Sequence, residues 1–114
     1  MEIHGLGEGR QLVQAFDNAG NTLGTARDII VSSATTIFRD FVSSGDTNDF
    51  YRFSMSNTSY RSLLLNGLTA NANVEVIQDR NNNGLVDSNE IIAFSRNGGT
   101  ISESLIGNLS NGTY

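Results

Sequence analysis

The chain of 114 residues contains no cysteine, no proline, no tryptophan and no lysine. Without cysteine there is no disulfide framework, no thiolate metal site and no cysteine nucleophile. Without lysine, the seven basic side chains are all arginines, set against twelve Asp and Glu for a net charge of -5. That balance leaves too few cations to neutralise a nucleic-acid backbone, which argues against a nucleic-acid binder. No apolar run approaches the ~20 residues that a transmembrane helix requires. The only histidine is His4, in a Gly-rich stretch, so a Ser-His-Asp arrangement has nothing to draw on elsewhere. Gly5-Leu6-Gly7-Glu8-Gly9 resembles a phosphate cradle only superficially, because such a loop needs a strand before it and a helix after it. A non-catalytic chain is the expectation.

What is there is turn chemistry. Twelve glycines stand in a background rich in Asn, Asp and Ser, residues that tolerate positive φ or hydrogen-bond their own backbone. Between these clusters lie short apolar runs. Residues 1–16 read as a flexible lead-in, with a short strand possible over 11–16, and residues 17–114 as the domain proper. One helical turn is expected around Thr25-Ala26-Arg27. Period-2 alternation predicts strands over 35–42, around Tyr51, Phe53 and Met55, over 60–65, over 73–78, over 91–94 and over 100–106, the last anchored by Ile101 and Leu105. Strands at this spacing, each closed by a turn cluster, predict an all-β fold, an antiparallel β-sandwich or barrel. Asn111-Gly112-Thr113-Tyr114 reads as a turn leading into a strand that does not follow, so the domain is expected to be incomplete at its C-terminus.

One motif carries chemistry. Residues 79–90, Asp-Arg-Asn-Asn-Asn-Gly-Leu-Val-Asp-Ser-Asn-Glu, satisfy the calcium-loop pattern D-x-[DN]-x-[DN]-G-x5-E at every specified position. Asp79, Asn81 and Asn83 place side-chain oxygens at loop positions 1, 3 and 5, and Gly84 permits the sharp turn at position 6. Leu85 offers its carbonyl, Asp87 acts directly or through a water, and Glu90 supplies two oxygens at position 12. The cation expected is Ca²⁺, since Mg²⁺ holds its waters and demands tighter octahedral geometry. The flanks Val74-Glu75-Val76-Ile77 and Ile91-Ile92-Ala93-Phe94 are strand sequences, so the loop is EF-like but lies between strands rather than helices. A lone loop with Arg80 beside its carboxylates belongs to the weak range, about 10⁻⁴–10⁻³ M, typical of extracellular modules.

Two further groups stand out. Asp40, Asp46 and Asp49 form a carboxylate cluster that reads first as solvated turn charge and second as a further ion site, with Asp49 its best ligand. Phe38, Phe41, Tyr51 and Phe53 read as core, because a domain this small needs its large apolar side chains inside. Tyr60 with Arg61, beside a turn, is the better candidate for an exposed contact.

Several segments together resemble a known family. They are Asp17-Asn18-Ala19-Gly20-Asn21-Thr22-Leu23, Thr25-Ala26-Arg27-Asp28-Ile29, Phe38-Arg39-Asp40-Phe41-Val42 and Asp46-Thr47-Asn48-Asp49-Phe50-Tyr51-Arg52-Phe53. Leu65-Asn66-Gly67-Leu68, the loop 79–90 and the ending Gly112-Thr113-Tyr114 continue the likeness. The chain resembles bacterial pre-peptidase C-terminal domains, especially those of cyanobacterial-type secreted proteins. The resemblance implies a jelly-roll-like β-sandwich joined to a secreted peptidase or another extracellular protein. It implies a calcium-binding accessory module, without catalytic activity, that serves secretion, stability or attachment to a polymeric substrate, whether protein or polysaccharide. A structural spacer or repeat of a bacterial surface adhesin is the alternative it leaves open. In the family the Gly-Thr-Tyr ending continues into a final strand, which is lacking here.

Overall fold

The computed structural model describes residues 1–5, 19–32, 34–38, 40, 42 and 45–114. These form an all-β chain with strands β1 (Glu2–Gly5), β2 (Arg27–Asp28), β3 (Asn48–Arg52), β4 (Ser54–Met55), β5 (Ser59–Leu65), β6 (Ala72–Ile77), β7 (Ile91–Ser95), β8 (Glu103–Leu109) and β9 (Gly112–Thr113). Two 3-10 turns, Leu23–Thr25 and Ser88–Glu90, are the helical elements among the described residues. Five strands make one sheet in the order β2-β3-β1-β6-β7, while β4 pairs with β9 and β5 with β8. All pairings are antiparallel except β2 with β3.

The alternation in the sequence dictates which side chains enter the core. Tyr51 on β3, Phe53 between the strands and Met55 on β4, each two residues from the next, are all buried, and they cluster with Met1, Ala19, Val74, Val76 and Tyr114. Tyr114 stacks on Phe53 with ring centroids 5.7 Å apart. The β5–β8 ribbon turns Leu63, Leu65, Leu105 and Leu109 onto this cluster and leaves Tyr60, Leu64 and Ile106 in solvent. β6 is buried along its whole length, including Asn73 and Glu75, so both of its faces are covered. Glu75 is met there by Arg96 in an ion pair.

The structure departs from the sequence reading at both ends and at two strands. Glu2–Gly5, read as lead-in, is the middle strand of the five-stranded sheet: Met1 and Ile3 face the core, an alternation that the glycines around it obscure. The strand expected over 11–16 lies outside the described residues. Residues 35–38, 40 and 42 belong to no strand, while 39 and 41 lie outside the described residues. The edge of β3 turned away from β1 is already taken by Gly20, which bridges to Phe50, and by β2. Phe38 is correspondingly exposed, with its ring centroid 6.0 Å from that of Tyr51. The helical turn falls at Leu23–Thr25, capped by Thr22, slightly before its expected place. Gly20 is required there, because a Cβ at that position would sit 1.8 Å from the carbonyl oxygen of Thr25.

β8 begins at Glu103 rather than Thr100, and Ile101 is exposed; Leu105 and Leu109 are its inward anchors. The terminal turn does lead into pairing, since Gly112 and Thr113 lie opposite Met55 and Ser54.

The opening amine has an unusual place. Met1 donates to the carbonyl of Tyr51 at 2.7 Å inside the sheet, and burial lowers the pKa of its amino group to about 5. The unfolded chain therefore holds this proton up to about pH 8, while the folded chain holds it only below about 5. Between those values the unfolded state binds more protons, so stability rises with pH across the window and is lost again on acidification. Urea melts from pH 5 to 8 are expected to show that rise, and selective acetylation of the amine, the chain's only primary amine, removes it.

A second prediction concerns the core. Ile77→Ala, at a buried site, is expected to cost about 2–5 kcal/mol, whereas Leu64→Ala on the outer face stays within about 0.5 kcal/mol. Urea midpoints at unchanged m-values provide the check.

Candidate metal centre

The loop 79–90 joins two adjacent antiparallel strands, so its ends are fixed by the ladder of β6 against β7. At its close, the backbone N–H of Gln78 donates to the carbonyl of Glu90 at 3.0 Å. From that anchor the chain winds tightly, and each turn is made by a side-chain oxygen capturing a backbone N–H. Asp79 accepts from Asn83 through Oδ1 at 3.2 Å and from Gly84 through Oδ2 at 2.9 Å. Asn81 Oδ1 accepts from the N–H of Asn83 at 3.1 Å, and Asn83 Oδ1 from that of Leu85 at 2.8 Å. Gly84 has φ +74° and Asn82 φ +57°, the left-handed conformations that glycine and asparagine tolerate best.

Glu90 closes the loop from the far end. Its side chain is 1% exposed, and Oε1 accepts the backbone N–H groups of Arg80 at 2.8 Å and Asn81 at 3.2 Å. Its Oε2 takes a longer bond, 3.4 Å, from the N–H of Asp87. Asp87 in turn accepts the side-chain amides of Asn81 and Asn83 on Oδ2, at 2.8 and 2.9 Å. The sequence-predicted ligands Asp79, Asn81, Asn83, Asp87 and Glu90 are thus knit into one hydrogen-bonded loop, with Leu85 exposed on its outer turn.

The donor chemistry is that of a hard cation: the side chains on offer are carboxylates and amides, with only oxygens to give. The carboxylates, however, are spent on N–H groups and amides of the loop itself. Among the described residues no three His, Cys, Asp or Glu side chains come together as a group able to hold a metal ion. The same holds for Asp40, Asp46 and Asp49, which form no such group. Asp40 accepts the hydroxyl of Tyr51, and Asp49 is buried on β3 opposite Ile3. Burial first, then the bond to Asp40, pushes the phenol of Tyr51 well above its usual range.

Arg52 clamps Asp28 through Nε at 2.6 Å and a second nitrogen at 3.0 Å, which holds the Asp28 carboxyl below the usual carboxylate range. Tyr60 is exposed as expected, and Arg61 turns to the carbonyl of Ser32 at 3.3 Å.

One residue escaped the sequence reading. Glu103, fully buried, accepts the hydroxyl of Ser95 and the N–H of Asn97 at 3.0 Å, tying off the 96–102 loop much as Glu90 ties off the other. A glutamate just beyond Asn97-Gly98-Gly99, at the start of a strand, was the available signal. No protein-family model, no curated protein and no solved structure matches the chain.

The winding of the loop is testable without any ion. A Cβ on Gly84 would meet nothing within 4 Å, so Gly84→Ala isolates the cost of the left-handed backbone. That substitution is expected to destabilise by about 1–2 kcal/mol, and Asn82→Gly to change stability by only a few tenths, read by chemical denaturation.

Proposed function

We propose that the chain is a calcium-stabilised, non-catalytic accessory module of a secreted or other extracellular bacterial protein, of the pre-peptidase C-terminal kind, and that its strands close as a jelly-roll-like β-sandwich. The observation that carries this reading is the winding of residues 79–90. Asp79 accepts the N–H of Gly84, whose positive φ turns the chain there, and the buried Glu90 reaches back to the first turn of the loop. The sandwich reading rests on the β5–β8 ribbon, whose four inward leucines pack on the cluster containing Val74 and Val76 of the large sheet.

The ligands are the side chains of Asp79, Asn81, Asn83, Asp87 and Glu90 and the carbonyl of Leu85. The cation supplies positive charge to a loop of three carboxylates, offsetting their repulsion when they draw together. Since the loop joins β6 to β7, its effect is to stiffen that hairpin and the sheet edge beyond it. Weak affinity, about 10⁻⁴–10⁻³ M, suits a structural ion outside the cell rather than a cytosolic signal. Attachment to an extracellular polymer falls to the outer face of the ribbon, where Tyr60, Leu64 and Ile106 are exposed.

The test is a thermal melt of the chain with excess Ca²⁺ and with chelator, beside Glu90→Gln. Calcium at a hundred times its Kd adds about 2.7 kcal/mol, a Tm rise of roughly 10–20 °C for a chain of this size. The expected result is that rise, lost in Glu90→Gln. A cooperative melt that calcium leaves unmoved overturns the calcium reading.

A further inference from the structure

Glycine follows asparagine four times in this chain, at Asn66-Gly67, Asn83-Gly84, Asn97-Gly98 and Asn111-Gly112. The pair is chemically labile, because glycine carries no side chain to keep its backbone nitrogen away from the carboxamide carbon before it. Attack of that nitrogen on that carbon requires two freedoms. The glycine N–H must be unengaged, and the asparagine amide must be able to swing toward it. The fold grants these freedoms unequally to the four pairs.

In the 79–90 loop both freedoms are gone. The N–H of Gly84 donates to Asp79 at 2.9 Å, while Asn83 accepts from Leu85 at 2.8 Å and donates its amide to Asp87 at 2.9 Å. At Asn111 the nitrogen is taken by a ladder. Gly112 stands opposite Met55, two residues from the pair in which Phe53 and Tyr114 exchange both backbone bonds, so it is the next bonded position. Asn97 is held by its amide, which donates to the carbonyl of Ser102 at 2.9 Å, and by its backbone N–H on Glu103 at 3.0 Å. Asn66-Gly67 is different. It lies exposed just past the end of β5, and among the described residues neither the Asn66 amide nor the Gly67 N–H has a hydrogen-bond partner. Gly67 has φ +71°, and a Cβ there would meet nothing within 4 Å, so nothing crowds the turn.

We propose that Asn66 is the site of spontaneous deamidation in this chain, with water as the only co-reactant. The Gly67 nitrogen, on losing its proton, bonds to Cγ of Asn66 and closes a cyclic imide. The Cγ–Nδ2 bond breaks, and the side-chain NH2 takes up a proton and leaves as ammonia. Water then opens the ring at either carbonyl, giving its OH to that carbon and its other hydrogen to the Gly67 nitrogen. Opening at Cγ leaves an aspartyl residue in a normal chain. Opening at the backbone carbonyl leaves an isoaspartyl residue, whose main chain runs through the side chain and is longer by one methylene. Either product adds a negative charge to a chain of net charge -5. The change falls on the connection from β5, in the two-stranded ribbon, to β6, in the five-stranded sheet. None of these steps involves calcium, so their test stands apart from that of the cation.

The arginines make the test direct. Cleavage after Arg61, Arg80 and Arg96 gives peptides 62–80, with Asn66, 81–96, with Asn83, and 97–114, with Asn97 and Asn111. The folded chain is incubated at mildly alkaline pH, digested briefly and read by mass spectrometry, with fragmentation placing each NH2-to-OH change. Conversion is expected first at Asn66, roughly ten-fold or more ahead of Asn83, whose hydrogen bonds must open before the Gly84 nitrogen can attack. The same incubation in urea removes the selection made by the fold, and the four sites are expected to converge to within a few-fold. Gly67→Ala is expected to slow conversion at Asn66 and to leave Asn97 as it was. The proposal is overturned if Asn66 stays intact in the folded chain, or if any of the other three keeps pace with it there. A Gly67→Ala chain that converts at the unsubstituted rate overturns the route through the Gly67 nitrogen.

Discussion

A strand in the middle of a sheet must have its backbone satisfied along both edges, and in this protein that demand falls hardest on β3. On one edge it is met by Gly20 and by β2, which lies parallel, with Ile29 donating to the carbonyl of Arg52 at 2.8 Å. On the other edge it is met by β1, with β9 taking over along β4. The strand that answers β3 also answers β6, so one short segment connects the two halves of the large sheet. Burial follows from this arrangement. Tyr51, Phe53 and Met55 can line the core because the backbone between them is paired, and Val74 and Val76 face them across the same lane.

The buried carboxylates follow a second rule. Glu90 and Glu103 both end a loop, both sit at the start of a strand, and both accept backbone N–H groups from the loop they close. A carboxylate in that position gathers donors that would otherwise be stranded as the chain enters the sheet. The two loops differ in what they add. Around 79–90 the other turns are also made by Asp and Asn oxygens, which accept backbone N–H groups and side-chain amides of the loop itself. Around 96–102 Glu103 works with Ser95 and with Asn97, whose amide donates to the carbonyl of Ser102 at 2.9 Å. The first loop matches the calcium-loop sequence pattern at its specified positions, and the second does not.

Much of this was legible in the residues themselves. The strands at 48–55, 59–65, 72–77 and 91–95 lie where alternation or apolar runs place them, because each signal is contained in a few consecutive side chains. The turns of the 79–90 loop were equally legible, since Gly84 and the Asp and Asn residues before it act on their own near neighbours. Less legible was the partition of the aromatics. Tyr51 and Phe53 are inside, yet Phe38 lies at the surface, and no local pattern separates them.

The sequence by itself determined where the chain turns, which segments extend, and that the result is all-β, because these are short-range matters of backbone freedom and side-chain alternation. The tertiary structure alone decided that Glu2–Gly5 is a central strand, that residues 35–38 are left out of the sheet, and that β8 starts at a buried glutamate. Each of these depends on which edge of which strand is still open when the segment arrives. Unpaired backbone groups are the same at every residue and leave no mark in the sequence; only the assembled sheet shows where they are.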